Sequence, residues 1–187
     1  MMSTRGDVEF IVNKIMAGFK VTRVDEIPGI DLPIVHYPED ILRGREQVEG
    51  RIVVIGAGES GVETAMYLAD AERGKIIVTA KRDLICRHAD GTVRNGNMQF
   101  FRERGIDVIF ESVVDEIYDD AVVVRTKNGS QIIPCDAVIM AMGYVANKPY
   151  EGLLDELGDK VVYAGDANGT SNAMDAGSQG FEAGYYA

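Results

Sequence analysis

The chain has 187 residues, of which 46% are hydrophobic and two are cysteine, and a formal net charge of −11. That length suffices for one substantial domain, or a domain with an appendage, whose core needs no disulfide or metal staple. The negative charge argues against a general nucleic-acid or anionic-membrane binder, no apolar run approaches the roughly 20 residues of a membrane span, and the start of the chain shows no signal-peptide pattern.

Residues 1–50 are the least regular. Phe10-Ile11-Val12 predicts a strand, Pro28-Gly29, Pro33 and Pro38 punctuate a loop-like stretch, and Glu39 to Gly44 predicts a short helix. Regular alternation starts at Arg51 with a buried parallel strand over 51–55. Val62, Ala65, Met66 and Ala69 then follow helical spacing to about Arg73, where Gly74 is expected to end the helix. Ile76-Ile77-Val78 is a second strand and completes a β-α-β unit of about 30 residues. A helix is expected from about Val93 to Arg104, ended by Gly105, and a third strand over Ile106 to Phe110. Ser112 to Tyr118, Ala121 to Thr126 and Gln131 to Pro134 read as short strands joined by Asp119-Asp120 and Asn128-Gly129. Asn-Gly is a strong hairpin signal. Ala137 to Ala141 and Val161 to Ala164 read as further strands, ending at Gly143 and at Gly165-Asp166.

The fold class this predicts is α/β: a Rossmann-like parallel sheet with an inserted three-stranded antiparallel meander. The chemistry is concentrated in Gly56-Ala57-Gly58-Glu59-Ser60-Gly61, a G-x-G-x-x-G turn between strand and helix. Gly56 allows the tight turn, Gly58 lets the backbone approach a pyrophosphate, and Gly61 lets helix and strand pack closely. Glu59 and Ser60 supply backbone N–H groups at a helix N-terminus, where an anion is favoured. A glycine-rich turn serving packing alone is the alternative.

The second strand bears on the choice of nucleotide. NAD-binding versions of this unit place a carboxylate near its end, and NADP-binding versions place arginine there. Here the end reads Val78-Thr79-Ala80-Lys81-Arg82-Asp83, followed by Arg87. Lys81, Arg82 and Arg87 are therefore expected to take a ribose 2′-phosphate, which favours NADPH over NADH. A solvated basic loop is the alternative, and Asp83 is placed to compete for the cations. Gly143 is expected where the nicotinamide half passes a strand end. No catalytic acid or base and no metal ligand is expected. His36 and His88 have no partners at metal spacing. Cys86 and Cys135 form no C-x-x-C and read as reduced thiols of a cytoplasmic protein.

Several stretches resemble a known family. Gly56 to Ala65 is similar to the NAD(P)H motif of flavoproteins with two dinucleotide-binding domains. Cys135 to Gly143 looks like their strand leading into an A-T-G turn, here A-M-G. Val161-Val162-Tyr163-Ala164-Gly165-Asp166 looks like their second flavin motif, in which the aspartate meets the ribityl chain of FAD. Asp175 to Ala183 resembles the helix beneath the flavin. Met16-Ala17-Gly18 and Pro28-Gly29-Ile30 are similar to the first crossover and its linker. Order and spacing over roughly residues 16–187 resemble the C-terminal portion of NADH:flavin oxidoreductases of the old-yellow-enzyme, 2,4-dienoyl-CoA reductase type, in the pyridine nucleotide-disulfide oxidoreductase superfamily.

The resemblance implies an FAD/NAD(P)-binding fold with partial flavin-domain segments at both ends. It divides the chain into a remnant of the flavin-domain crossover and linker (1–48), an NAD(P)H-binding domain (49–150) and a partial flavin-binding segment (151–187). It implies hydride delivery from NADPH or NADH to FAD, with onward transfer through an iron–sulfur cluster and FMN to an enoyl substrate. A first G-x-G-x-x-G, the cysteine cluster and the barrel of that family are missing, so the chain reads as an incomplete portion of such an enzyme. The C-x-x-C of thioredoxin reductases is missing too, so disulfide reduction is not expected. The implied partners are a nicotinamide dinucleotide and the flavin-bearing remainder of the enzyme or a homodimer mate. The rival expectation is a nucleotide-binding or dimerisation module without turnover.

Overall fold

The computed structural model describes residues 19–21, 27–146, 162–169 and 173–185. In chain order its elements are β1 (Phe19–Val21), β2 (Val35–His36), α1 (Pro38–Leu42), β3 (Gly50–Ile55), α2 (Glu59–Asp70), β4 (Gly74–Thr79), α3 (Gly91–Arg104), β5 (Asp107–Ile109), β6 (Val113–Ile117), β7 (Ala121–Thr126), β8 (Gly129–Pro134), β9 (Ala137–Met140), β10 (Tyr144–Ala146), a 3-10 turn (Gly165–Asn168) and α4 (Ala173–Tyr185). They fall into two units, residues 23–143 and residues 1–22 with 144–187.

In the larger unit, continuous apolar runs make strands that are buried on both faces. Ile52 to Ile55 of β3 and all of β9 are buried. The sheet has the order β2-β9-β3-β4-β5, with every pair parallel. Alternation along β3 divides the core. Ile52 and Val54 pack with Val62, Ala65 and Leu68 of α2 and Phe101 of α3. Val53 and Ile55 face Ile117, Val122 and Val124 of a separate antiparallel sheet, β6-β7-β8. The central sheet is thus covered by helices on one face and by the meander on the other, and Gly129 opens β8 at the expected hairpin with φ of 116°.

Strand order places a switch point beside β3. The chain leaves β3 through α2 to β4 and β5 on one side, then returns through the meander to β9 on the other. Open parallel sheets bind ligands outside the carboxyl ends of their strands at such a point.

Several expectations need correction. Gly74 does not end α2. The helix stops at Asp70 with Ala71 as its C-cap, and the left-handed residue that follows is Glu72, with φ of 53°. Gly74 instead opens β4 with φ of 130°, where an added Cβ would lie 2.0 Å from the Gly50 carbonyl oxygen. Close approach of two strands, not helix termination, requires glycine there. α3 begins at Gly91, because the Asp90 carboxylate caps it and accepts from Thr92 N at 2.7 Å and Val93 N at 3.1 Å. Residues 162–164 are not in a strand; Ala164 is extended, but extension makes a strand only where a neighbour completes the ladder. The proline-rich stretch contributes β2, a two-residue edge strand paired with Val138 and Ile139 of β9. The expectations for Phe10-Ile11-Val12 and for Met16-Ala17-Gly18 lie outside the described residues.

In the smaller unit, β1 pairs antiparallel with β10, Lys20 opposite Val145. The Gln179 side chain of α4 accepts a hydrogen bond from Gly165 N at 2.9 Å. No described residue of α4 is buried, and Phe181 and Tyr185 stack with ring centroids 5.9 Å apart.

Candidate functional site

β3 ends at Ile55, level with Met140 of β9 and Thr79 of β4. The chain must turn sharply into α2 while the residues after β9 pass close by. Gly56 makes the turn with φ of 110°, and a Cβ there would meet the Ala141 carbonyl oxygen at 2.3 Å. A Cβ on Gly61 would meet the Gly56 carbonyl oxygen at 2.1 Å. Both glycines are required by backbone crowding at the switch point.

Gly58 differs. It is the N-cap of α2 with φ of −71°, and a Cβ there would meet nothing within 4 Å. The first-turn N–H groups of Glu59, Ser60 and Gly61 lack intrahelical acceptors, as in any α-helix, and Gly58 has no side chain to cap them. Donors, the positive end of the helix dipole and open space therefore coincide. These residues fit the pyrophosphate of a dinucleotide.

The basic strap, residues 80–89, is anchored at both ends. At the near end, Ser112 N donates to Ala80 O at 3.0 Å and Glu111 N to Arg82 O at 3.2 Å. At the far end Ile85 and Cys86 are buried in the helix-side core. Cys86 N donates to Ala57 O at 2.8 Å, which ties the strap to the glycine turn. Cys86 has φ of 43°, a left-handed conformation that costs about 1–2 kcal/mol without glycine. Arg94 of α3, half-buried, donates from Nε to Ile85 O at 3.2 Å and from Nη2 to Ala89 O at 2.8 Å and Arg87 O at 3.4 Å.

Lys81, Arg82 and Arg87 are exposed, and among the described residues none forms an ion pair. Asp83, the nearby carboxylate, pairs with none of them. His88 is exposed on the same strap. His36 is occupied elsewhere, its Nδ1 2.6 Å from Glu46 Oε2. Burial raises the thiol of Cys86 above its ordinary range and pushes that of Cys135 up to about 11. Both are free cysteines, and no metal-binding cluster occurs among the described residues.

The structure therefore gathers Gly56, Gly58, Glu59, Ser60 and Gly61 at one helix start, and joins the strap bearing Lys81, Arg82 and Arg87 to them through Ala57. Gly143 lies two residues beyond Ala141, with φ of 101°. Gly165 and Asp166 belong to the smaller unit, in its 3-10 turn. A polar cleft near Phe110, Glu111, Lys127 and Ser130 is lined by none of these residues, though Glu111 N donates to Arg82 O, and its cation Lys127 is already 3.0 Å from Glu111. The Arg94 fork and the Ala57 carbonyl have no sequence signature, since contacts to main-chain oxygens leave no mark on their partners. The Asp90 cap did have one: aspartate directly before a helical pattern.

Comparison with known proteins gives a consistent result. The family model described as pyridine nucleotide-disulphide oxidoreductase matches residues 15–169. A bilirubin reductase of Mediterraneibacter gnavus is 30% identical over 83% of this chain and 24% of its own length. A cinnamate reductase of Clostridium sporogenes is 29% identical over 75% of this chain and 21% of its own. A solved 2-naphthoyl-CoA reductase complex superposes with a TM-score of 0.78 at 28% identity, covering 89% of this chain and 25% of that one. The chain spans about a quarter of the length of the curated relatives it matches.

Proposed function

The chain belongs to the pyridine nucleotide-disulphide oxidoreductase family, flavin- and pyridine nucleotide-dependent oxidoreductases, and on that premise we propose that it is the NAD(P)H-binding module of a larger flavoenzyme of enoate or dienoyl-CoA reductase type, with a preference for NADPH. The observation that carries this reading is the open space over Gly58 at a helix start without a side-chain cap, tied to a strap whose three cations have no carboxylate partner among the described residues. The similar cinnamate and 2-naphthoyl-CoA reductases support the reductase class.

In this reading the N–H groups from Gly58 to Gly61 hold the diphosphate, with Gly56 and Gly61 shaping the turn. Lys81, Arg82 and Arg87 take the 2′-phosphate. Gly143 leaves the end of β9 free of a side chain where the nicotinamide half passes, and Gly165 and Asp166 serve the ribityl side of FAD in the complete enzyme. When bound, the reduced nicotinamide supplies a hydride to the flavin. The residues of this chain bind and orient, and no protein acid or base is needed. The corresponding division is a crossover and linker over 1–48, the nucleotide domain over 49–150 and a flavin-side segment over 151–187. Two free, buried cysteines suit a cytoplasmic setting, and among the described residues no helix is long and apolar enough to cross a membrane.

Titration of the purified chain with NADPH and NADH tests this. NADPH should bind at least about tenfold tighter, a difference of about 1.4 kcal/mol, and the K81E/R82A double variant should remove the difference. Equal weak binding of both, unchanged in the variant, would reject the assignment. A second reading, a binding module without turnover, draws on α4, where Met174 is 83% and Phe181 71% exposed. This apolar face suits the remainder of a longer polypeptide or a homodimer mate. Nucleotide binding without diaphorase activity would favour that second reading.

A further inference from the structure

Arg94 lies outside the glycine turn and the strap, yet among the described residues every hydrogen bond its side chain makes goes to the strap backbone. A guanidinium holds its donors in a rigid planar fork. Here that fork meets the carbonyl oxygens of Ile85, Arg87 and Ala89. Each carbonyl that turns inward to the cation turns the opposite end of its trans peptide outward.

For the peptide joining Ile85 to Cys86, that outward end is Cys86 N–H, which donates to Ala57 O at 2.8 Å. The same geometry applies once more. With the Ala57 carbonyl turned towards the strap, the N–H of Gly58 on the same trans peptide points away from the strap. A relay of two hydrogen bonds and two peptide planes thus runs from the Arg94 cation to Gly58. Its first bond is charge-assisted and polarises the second. The contacts to Arg87 O and Ala89 O fix the backbone on which the Arg87 side chain stands.

We infer that Arg94 is a positioning residue for the adenine-side half of the bound dinucleotide, setting at once the direction of the Gly58 N–H in the diphosphate cradle and the placement of Arg87 at the 2′-phosphate. The inference rests on the NADPH reading above. It differs from a general structural role because it predicts a loss at two chemically distinct phosphates. Lysine cannot replace arginine here, since an ammonium on a flexible stem lacks the rigid fork that reaches all three carbonyls.

Fragment ligands separate the effects. The full chain, as wild type and as R94K, R94Q and R87A, is titrated with 5′-AMP, 5′-ADP and 2′-phosphoadenosine 5′-phosphate, with far-ultraviolet circular dichroism confirming the fold. The ADP:AMP affinity ratio reads the diphosphate cradle, and the 2′-phospho:AMP ratio reads the strap. Both ratios should fall about tenfold in R94K and R94Q, a change of about 1.4 kcal/mol. R87A should lower the second ratio alone. Retention of both ratios in R94K and R94Q overturns the inference, and so does a wild-type R94K beside an impaired R94Q, which would leave charge alone as the cause. A wild-type chain that favours neither ADP nor the 2′-phosphate over AMP overturns the NADPH reading itself. That failure shows before any variant is measured.

Discussion

One methyl group at Gly58 separates folding from binding. At this position φ is −71° and an added Cβ meets nothing within 4 Å, so G58A introduces no clash in the protein. Two small terms act on stability. Alanine caps a helix worse than glycine does, by about 0.5–1 kcal/mol. Against that, alanine restricts the unfolded chain and returns about 0.4–1 kcal/mol where its backbone angles are allowed. The terms nearly cancel, and a chain of this size shifts about 2–4 °C in Tm per kcal/mol, so the melting temperature should move by no more than a few degrees. The methyl does, however, occupy the space through which phosphate oxygens must approach the N–H groups of the first helical turn. NADPH affinity should drop at least tenfold, about 1.4 kcal/mol or more. G61A provides the contrast. Its Cβ would lie 2.1 Å from Gly56 O and 3.1 Å from the Ala141 Cβ. Backbone must shift, at about 1–3 kcal/mol, and stability and binding should fall together. Thermal melts and calorimetric titrations of the two variants, side by side, are the assay. A G58A variant that binds NADPH like the wild type would refute the reasoning.

Further expectations follow from the packing and the charges. Phe101 of α3 is fully buried in the core shared with α2 and the sheet, so F101A should cost about 3–5 kcal/mol in urea denaturation. The Arg51 side chain and main-chain N–H hold the Asp136 carboxyl down at about 2. Its contribution to stability is complete above the unfolded value of about 3.9 and is lost as pH falls towards about 2. Denaturant melts from pH 5 to pH 2 (about the range between those values) should therefore slope less steeply in D136N than in the wild type. Cys135 is fully buried, with its thiol pushed up to about 11, and Cys86 is buried too. At mildly alkaline pH iodoacetamide should label neither in the native chain and both in denaturant, as mass spectrometry would read.

The β3-α2-β4 unit was legible because its signals are local. β-branched runs, helical spacing and a glycine turn lie within one stretch, and local patterning agrees with burial on both faces. The meander was legible for the same reason, through Asn128-Gly129. What was not legible depends on partners distant in sequence. β2 and β10 have two and three residues, too few for a period, and exist because β9 and β1 present ladders to them. Gly74 invites a helix-end reading, yet the helix leaves through Glu72, and the need for glycine comes from Gly50 across the ladder. At the site, the residue types of the turn and the strap could be read directly. Their connection could not, because it runs through the carbonyl oxygens of Ala57, Ile85, Arg87 and Ala89, which any sequence possesses.

The ladder also explains why the turn sits where a ligand can reach it. Arg51 is the second residue of β3, and Asp136 directly precedes β9. Asp136 accepts from Arg51 N and Nη2, each at 2.7 Å. That clasp sets the parallel register at one end, so Ile55 meets Met140 at the other and the Gly56 turn faces the Ala141 backbone. Two of the three motif glycines follow from this crossing alone, since any Cβ on Gly56 or Gly61 would strike main-chain oxygen. A turn that served packing only would account for both. It would not account for Gly58, whose Cβ direction is empty and whose N-cap position favours serine, asparagine or aspartate. Those residues would satisfy a first-turn N–H and add a few tenths of a kcal/mol to stability over glycine. Keeping glycine there leaves the helix start without a side-chain cap and the space above it open, as the proposed diphosphate site requires.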